Sequence, residues 1–182
     1  MIEEWVKQCR EGKTRAYAEV VRALRPRLLE FLYRMTQCRE TAEELGQEAF
    51  LKAFQKIKQF NSQKSSFPTW IFQIARNLCI DHMRRQRMDF DREVDSEGIV
   101  SLHPTPRDSA ADNEWGQRIA SAVRGLDLPF REVFLLREYH QLEIEEIASI
   151  TNTATGTVKS RLFRARHALQ AALEPTLKQA GK

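Results

Sequence analysis

The chain has 182 residues, 42% of them hydrophobic and 30% charged, and 29 Lys and Arg against 25 Asp and Glu leave a formal charge of +4. That length allows one large or two small domains with proper cores, while no apolar run is long enough for a membrane span and the N-terminus lacks a secretory h-region. Cys9, Cys38 and Cys79 are odd in number and form no CxxC pair, and His82, His103, His140 and His167 are scattered, so a disulfide framework, a metal site and a bound cofactor are not expected and the thiols read as those of a reduced, cytoplasmic protein.

Gly and Pro are scarce and no segment alternates with period two for long, which predicts an all-α protein. The first strong amphipathic stretch runs from about Ala16 to Met35, with Tyr17, Val20, Val21, Leu24, Leu28, Phe31, Leu32 and Met35 on one side. Pro26 predicts a kink, but the apolar phase continues across it, so the two pieces read as one packing unit. Thr41-Ala42-Glu43-Glu44 reads as a capping box that opens a helix to about Phe60, burying Ala42, Leu45, Ala49, Phe50, Ala53 and Ile57. Glu43, Glu44, Gln47 and Glu48 gather near its start. Carboxylates suit a helix N-terminus, but this patch is compact, and with Phe50 partly exposed it forms a mixed acidic and apolar face for a basic partner helix. It is read as a docking face rather than a magnesium site.

Asn61–Ser66 is a polar loop, and Phe67-Pro68-Thr69-Trp70 starts the next helix, whose apolar side is Phe67, Trp70, Ile71, Ile74, Ala75 and Leu78. Arg76, Asn77, Asp81, Arg84, Arg85 and Arg87 load its later turns. Pairing with a helix C-terminus contributes about 0.3–1 kcal/mol per cation, which accounts for one or two arginines. A cluster that follows aromatic residues and an amide has the composition of a single-strand binding platform. From Asp89 to about Glu114 the chain turns acidic, gains Gly98, Pro104 and Pro106, and loses helical period, as a flexible linker does.

Beyond it, Trp115, Ile119, Ala122, Val123 and Leu126 mark another amphipathic helix, and Phe130, Val133, Phe134 and Leu136 mark a further one over Phe130–Arg137. Glu143–Ile150 reads as a short helix with Ile144, Ile147 and Ala148 inward. Thr151–Gly156 is a polar turn. The following helix carries Val158, Leu162, Ala165, Leu169 and Leu173 at three- and four-residue steps, and Thr155 or Thr157 is placed to cap it. Lys159, Ser160, Phe163, Arg164 and His167 lie on its other side, with Arg161 and Arg166 at the flanks. There is no Asp or Glu between Glu146 and Glu174, so this cationic face is suited to a polyanion. A short helix, a tight turn and a basic second helix read as a helix-turn-helix, whose second helix enters the major groove. Phe163, in the middle of the basic face, is suited to a base edge or a thymine methyl.

Three segments in this order and spacing resemble the extracytoplasmic-function (ECF) group of the sigma-70 family of bacterial sigma factors. They are Ala42–Phe50, Phe67–Asn77 running into Asp81–Arg85, and Glu146-Ile147-Ala148 leading into Gly156–Leu162. The resemblance implies two helical domains joined by a flexible acidic linker: region 2 over residues 1–90, the linker over 91–112 and region 4 over 113–182. It implies binding to core RNA polymerase, at its β′ clamp helices and β flap, with Glu43, Glu44, Leu45, Gln47, Glu48 and Phe50 touching the clamp. It implies −10 recognition and melting by Asn61, Ser62, Lys64, Phe67, Trp70, Arg76, Asn77, Asp81, Arg84, Arg85 and Arg87, with Asn77 and Asp81 near a pocket for a flipped base. Thr157, Lys159, Ser160, Arg161, Phe163, Arg164 and Arg166 are implied −35 contacts, Arg161 and Arg166 holding phosphates. An anti-sigma factor is an implied partner. Gly46 departs from the family in replacing a larger apolar residue, and Gln141 and Ile144 in replacing the usual Gly and Tyr.

Two rival readings use the same residues. An autonomous helix-turn-helix regulator would need its first domain for dimerisation, which requires neither an acidic linker nor a basic helix. An enzyme acting on nucleic acid would need converging carboxylates or a nucleophile, and no catalytic set of that kind stands out.

Overall fold

A computed structural model describes residues 1–94 and 114–180, and side chains within 1–88 and 115–174. Every regular element among the described residues is helical, and the chain divides into two compact units, one before and one after the undescribed segment. The first unit holds α1 (Ile2–Arg10), a 3₁₀ turn (Thr14–Ala16), α2 (Tyr17–Thr36), α3 (Arg39–Gln55), a 3₁₀ turn (Ile57–Gln59) and α4 (Phe67–Val94). The second holds α5 (Glu114–Arg124), α6 (Leu128–Phe134), a π-helical turn (Leu135–Tyr139), α7 (Ile144–Thr151) and α8 (Thr155–Ala180).

α2 is the axis of the first unit and packs on α1, α3 and α4. Val20, Leu24, Leu28, Phe31, Leu32 and Met35 are buried along it, as the periodicity predicts, and Pro26 sits within the unbroken helix. Phe31 meets Phe72 of α4 with ring centroids 5.6 Å apart, tying α2 to α4. Three expectations are corrected here. α1 was not expected, although Ile2, Trp5, Val6 and Cys9 have helical spacing and the last two are buried. α3 begins at Arg39, with Cys38 in the cap position and no side-chain cap, so Thr41 lies inside the helix and no capping box forms there. α3 also ends at Gln55, the chain reaching Phe60 through the 3₁₀ turn. The expected linker loses its start as well: residues 91–94 continue α4, while 95–112 lie outside the described residues.

In the second unit α5, α6 and α7 all pack on α8. Val158, Leu162, Ala165 and Leu169 are buried on α8, the stripe that the sequence shows. α7 buries Ile147, Ile150 and Thr151, whereas Ile144 and Ala148 are only half-buried, so its inner face is rotated from the expected one. Its start carries a capping box that sequence reading missed. The Glu143 backbone N–H donates to the Glu146 carboxylate at 3.0 Å, and the Glu143 side chain accepts in return from the Glu146 backbone N–H. α7 ends at Asn152 in the left-handed conformation (φ 53°), and the Thr153 N–H returns to the Ala148 carbonyl. Val158 N–H donates to the Ala154 carbonyl, so Ala154 holds the cap position and Thr155 is already helical. Gln141 keeps the turn before α7 open in the left-handed conformation (φ 54°), the region Gly would occupy without strain.

Candidate polymerase and nucleic-acid interfaces

The acidic face of α3 is narrower than the sequence suggests, and differently composed. Glu44, Gln47, Glu48 and Leu51 are exposed at steps of three, four and seven, one stripe of the helix. Leu45 and Phe50 are 6% and 7% exposed and belong to the core, so they support this face from below instead of forming its surface. The apolar member of the stripe is Leu51, 56% exposed. Sequence reading passed over it, although it stands seven residues beyond Glu44. Glu43 pairs with Arg39 at 3.3 Å and Glu48 with Lys52 at 2.7 Å, both across one turn. Exposed pairs of this kind hold by a few tenths of a kcal/mol, roughly, and are readily exchanged for a partner's cations. The Tyr17 hydroxyl donates to the Phe50 carbonyl at 2.7 Å, and the Tyr17 ring lies 4.8 Å from that of Phe54. Burial, with a smaller effect from Cys9, pushes the phenol far above its ordinary range, which keeps it a donor. Gly46 is explained by its neighbour: a Cβ there would lie 2.6 Å from Leu29 Cδ2, so Leu29 of α2 occupies the space that a larger residue would take.

The loop before α4 is built on Asn61. Its Oδ1 accepts from the Gln63 N–H at 2.9 Å and its carbonyl accepts from the Lys64 N–H at 3.1 Å. Asn61, Ser62 and Lys64 are exposed on it. Phe60, Phe67 and Trp70 stack beneath, with centroids 5.2 to 5.5 Å apart. Phe67 is fully buried, so it anchors the loop and is not a DNA contact, whereas Trp70 is half-buried. Farther along α4, Asn77, Asp81, Arg84, Arg85 and Arg87 are exposed and Arg76 is half-buried. Asp81 accepts from Arg84 at 3.3 Å through its carboxylate and from Arg85 at 3.3 Å through its carbonyl, while Arg76 donates to Asn77 Oδ1 at 3.3 Å. Ten residues of helix place Asn77 about 15 Å along the axis from Phe67. The structure therefore spreads the expected −10 residues over a long surface, and Asn77 and Asp81 do not join the start of α4 in one pocket.

α8 presents Lys159, Ser160, Phe163, Arg164, Arg166 and His167 outward, and Thr157 is half-buried. Phe163 is 71% exposed and stacks on His167 at 6.4 Å, which places a flat apolar surface among cations. The Ser160 hydroxyl donates to the Thr157 carbonyl at 2.9 Å. The two flanking arginines are engaged within the protein. Arg161 reaches the Glu132 carboxylate at 3.5 Å, and Arg166 reaches Glu138 at 2.6 Å. Glu132 and Glu138 come from α6 and the π-helical turn, far from α8 in sequence, and no local pattern announces them. Among the described residues Lys159 and Arg164 have no ion pair, and they form the open cationic part of the helix.

These surfaces have counterparts in known proteins. Residues 20–88 match the family model for Sigma-70 region 2, and residues 116–169 match that for Sigma-70, region 4. The chain is 34% identical over 179 residues to the ECF RNA polymerase sigma factor SigW of Bacillus subtilis strain 168, covering 93% of this chain and 95% of the relative. The chain belongs to the ECF group of sigma-70 factors. A second such relative, the RNA polymerase sigma-H factor of Pseudomonas aeruginosa, is 30% identical over 187 residues and covers 98% of this sigma factor and 96% of its own length. Among solved structures, the sigma factor RpoE in complex with the anti-sigma factor NepR from Bartonella quintana superposes with a TM-score of 0.72 at 28% identity, covering 87% of this chain and 96% of that one. CnrH, solved with the cytosolic domain of CnrY, shares the fold, with a TM-score of 0.70 at 21% identity over 94% of this chain and 96% of that one. The region 2 match takes in α2, α3 and most of α4, and α1 stands ahead of it. No helix among the described residues is long and apolar enough to cross a membrane.

Proposed function

We propose that this sigma factor docks on core RNA polymerase through the α3 stripe Glu44, Gln47, Glu48 and Leu51, and reads promoters with two separate surfaces. Asn61, Ser62 and Lys64, with Trp70 below, engage the −10 element as it opens, and Asn77, Arg84, Arg85 and Arg87 hold the backbone along α4. Lys159, Ser160, Phe163 and Arg164 of α8 read the −35 element. Residues 1–94 act as region 2 and 114–182 as region 4, and the protein works in the cytoplasm, where polymerase and DNA meet.

The observation that carries this reading is the outward face of α8: a helix-turn-helix second helix whose exposed Phe163 is ringed by cations with no acid along the same stretch. Such a face gains from phosphate neutralisation and from apolar contact in the major groove. Supporting it is the division of labour between two units, each with its own basic helix. An anti-sigma factor is a fitting regulator, since the RpoE and CnrH structures were solved with NepR and with the cytosolic domain of CnrY. Such a partner would cover the α3 stripe and the exposed Phe163 face.

The test is transcription in vitro from a library of genomic fragments with purified core polymerase. Selective transcripts that depend on this protein are expected. Tight binding to a near-palindromic site without polymerase would instead indicate an autonomous regulator.

A further inference from the structure

Helix α4 begins without any acidic residue in its first turn, so the positive end of its dipole lacks a local counter-charge. Its free N–H groups can be accounted for one by one. Thr69 N–H donates to Ser66 Oγ at 3.2 Å, Trp70 N–H to the Ser66 carbonyl at 3.0 Å, and Pro68 has none to offer. The remaining one, on Phe67, donates to Glu3 Oε1 of α1 at 2.9 Å, from 64 residues away in sequence. α1 is held in place by buried Val6 and Cys9, and it packs on α2, on α4 and on the 3₁₀ turn Ile57–Gln59. One short helix therefore touches both stems of the Asn61–Ser66 loop and supplies the missing carboxylate at its far end.

We propose that Glu3 is a positioning residue for the −10 loop, fixing the angle at which Asn61, Ser62 and Lys64 meet single-stranded DNA. The proposal rests on the reading of that loop as the −10 contact. Releasing Phe67 N–H would free the start of α4, and the loop would lose one of its two anchors while the α3 stripe stayed intact.

The experiment uses holoenzyme assembled from core polymerase and the full chain. The probe is a single-stranded oligonucleotide carrying the −10 element of a promoter recovered from the genomic library. Glu3→Ala is expected to bind it roughly three- to tenfold more weakly, the range of a lost helix cap. Competition for core polymerase and binding of the −35 duplex should be unchanged, and the Phe67 amide should exchange faster with solvent. Glu3→Gln, whose amide oxygen can accept the same bond, should recover most of the affinity. Faster exchange at Phe67 with unchanged oligonucleotide binding overturns the proposal, as does an equal loss of core and oligonucleotide binding. Asn61→Ala and Lys64→Ala separate the two levels. If they weaken the oligonucleotide and Glu3→Ala does not, only the role of Glu3 falls; if they leave it unchanged, the loop reading and the proposal fall together.

Discussion

Arg161 of α8 reaches Glu132 of α6 at 3.5 Å, and Glu132 is 1% exposed. A carboxylate so enclosed is tolerable only with a cation beside it, so Arg161 is committed to the interior of the second unit. It sets the rotation of α8 and leaves base and phosphate contacts to Lys159, Phe163 and Arg164.

Removing one member of that pair should cost about 3 kcal/mol of stability, because the other charge is left buried. Thermal or urea unfolding of Arg161→Ala should show this loss in the second unit. Arg161→Met with Glu132→Gln should be markedly more stable than Arg161→Ala alone. If the single and double variants unfold alike, the pair has no such role.

The α3 stripe makes a different demand. Leu51→Ala and Glu48→Lys should each weaken competition with a reference sigma factor for core polymerase, the charge reversal more strongly. Both should leave folding near normal, since exposed positions rarely shift stability by more than about 0.5 kcal/mol. Binding of −35 duplex by the full chain should survive in both.

On α8, Arg164→Ala should cost about 1–3 kcal/mol in −35 discrimination if it reads a base edge. Lys159→Ala should weaken all duplexes alike and lower the slope of log affinity against log salt by about one. Fluorescence anisotropy with holoenzyme at several salt concentrations separates these outcomes.

Gln141 occupies a left-handed conformation that disfavours a side chain by about 1–2 kcal/mol, offset in part by the greater unfolded-state freedom of Gly. Gln141→Gly should therefore raise stability by about 0.5–1 kcal/mol. Denaturant midpoints at constant slope would show it, and a fall in stability would mean that the Gln side chain has a stabilising contact.

What the sequence disclosed follows from the range over which each interaction acts. The buried side of α8 was legible because Val158, Leu162, Ala165 and Leu169 repeat at helical spacing within the helix itself. α1 carried the same spacing in Ile2, Trp5, Val6 and Cys9, but its nine residues are too few to form a helix without tertiary support. The capping box at Thr41 matched a pattern, yet Cys38 and Arg39 open the helix a turn earlier, and a matching tetrapeptide does not choose its own register. Surface membership was the least legible property. Leu45, Phe50 and Phe67 have the chemistry of contacts, but the packing of α2 and of the Phe60 ring decides that they are interior. The partners Glu132, Glu138 and Glu3 stand far from the residues they hold, so only the folded chain brings them into view.

The π-helical turn Leu135–Tyr139 has a consequence of its own. It accommodates one residue more than an α-helical turn, and Glu138 lies on it, facing Arg166. Deleting a single codon there would let α6 run on as ordinary helix and swing whatever follows by about 100°. The loss of one residue would then leave each helix intact and point the promoter-reading end of the protein the wrong way, so this turn is where insertions and deletions would be least forgiven.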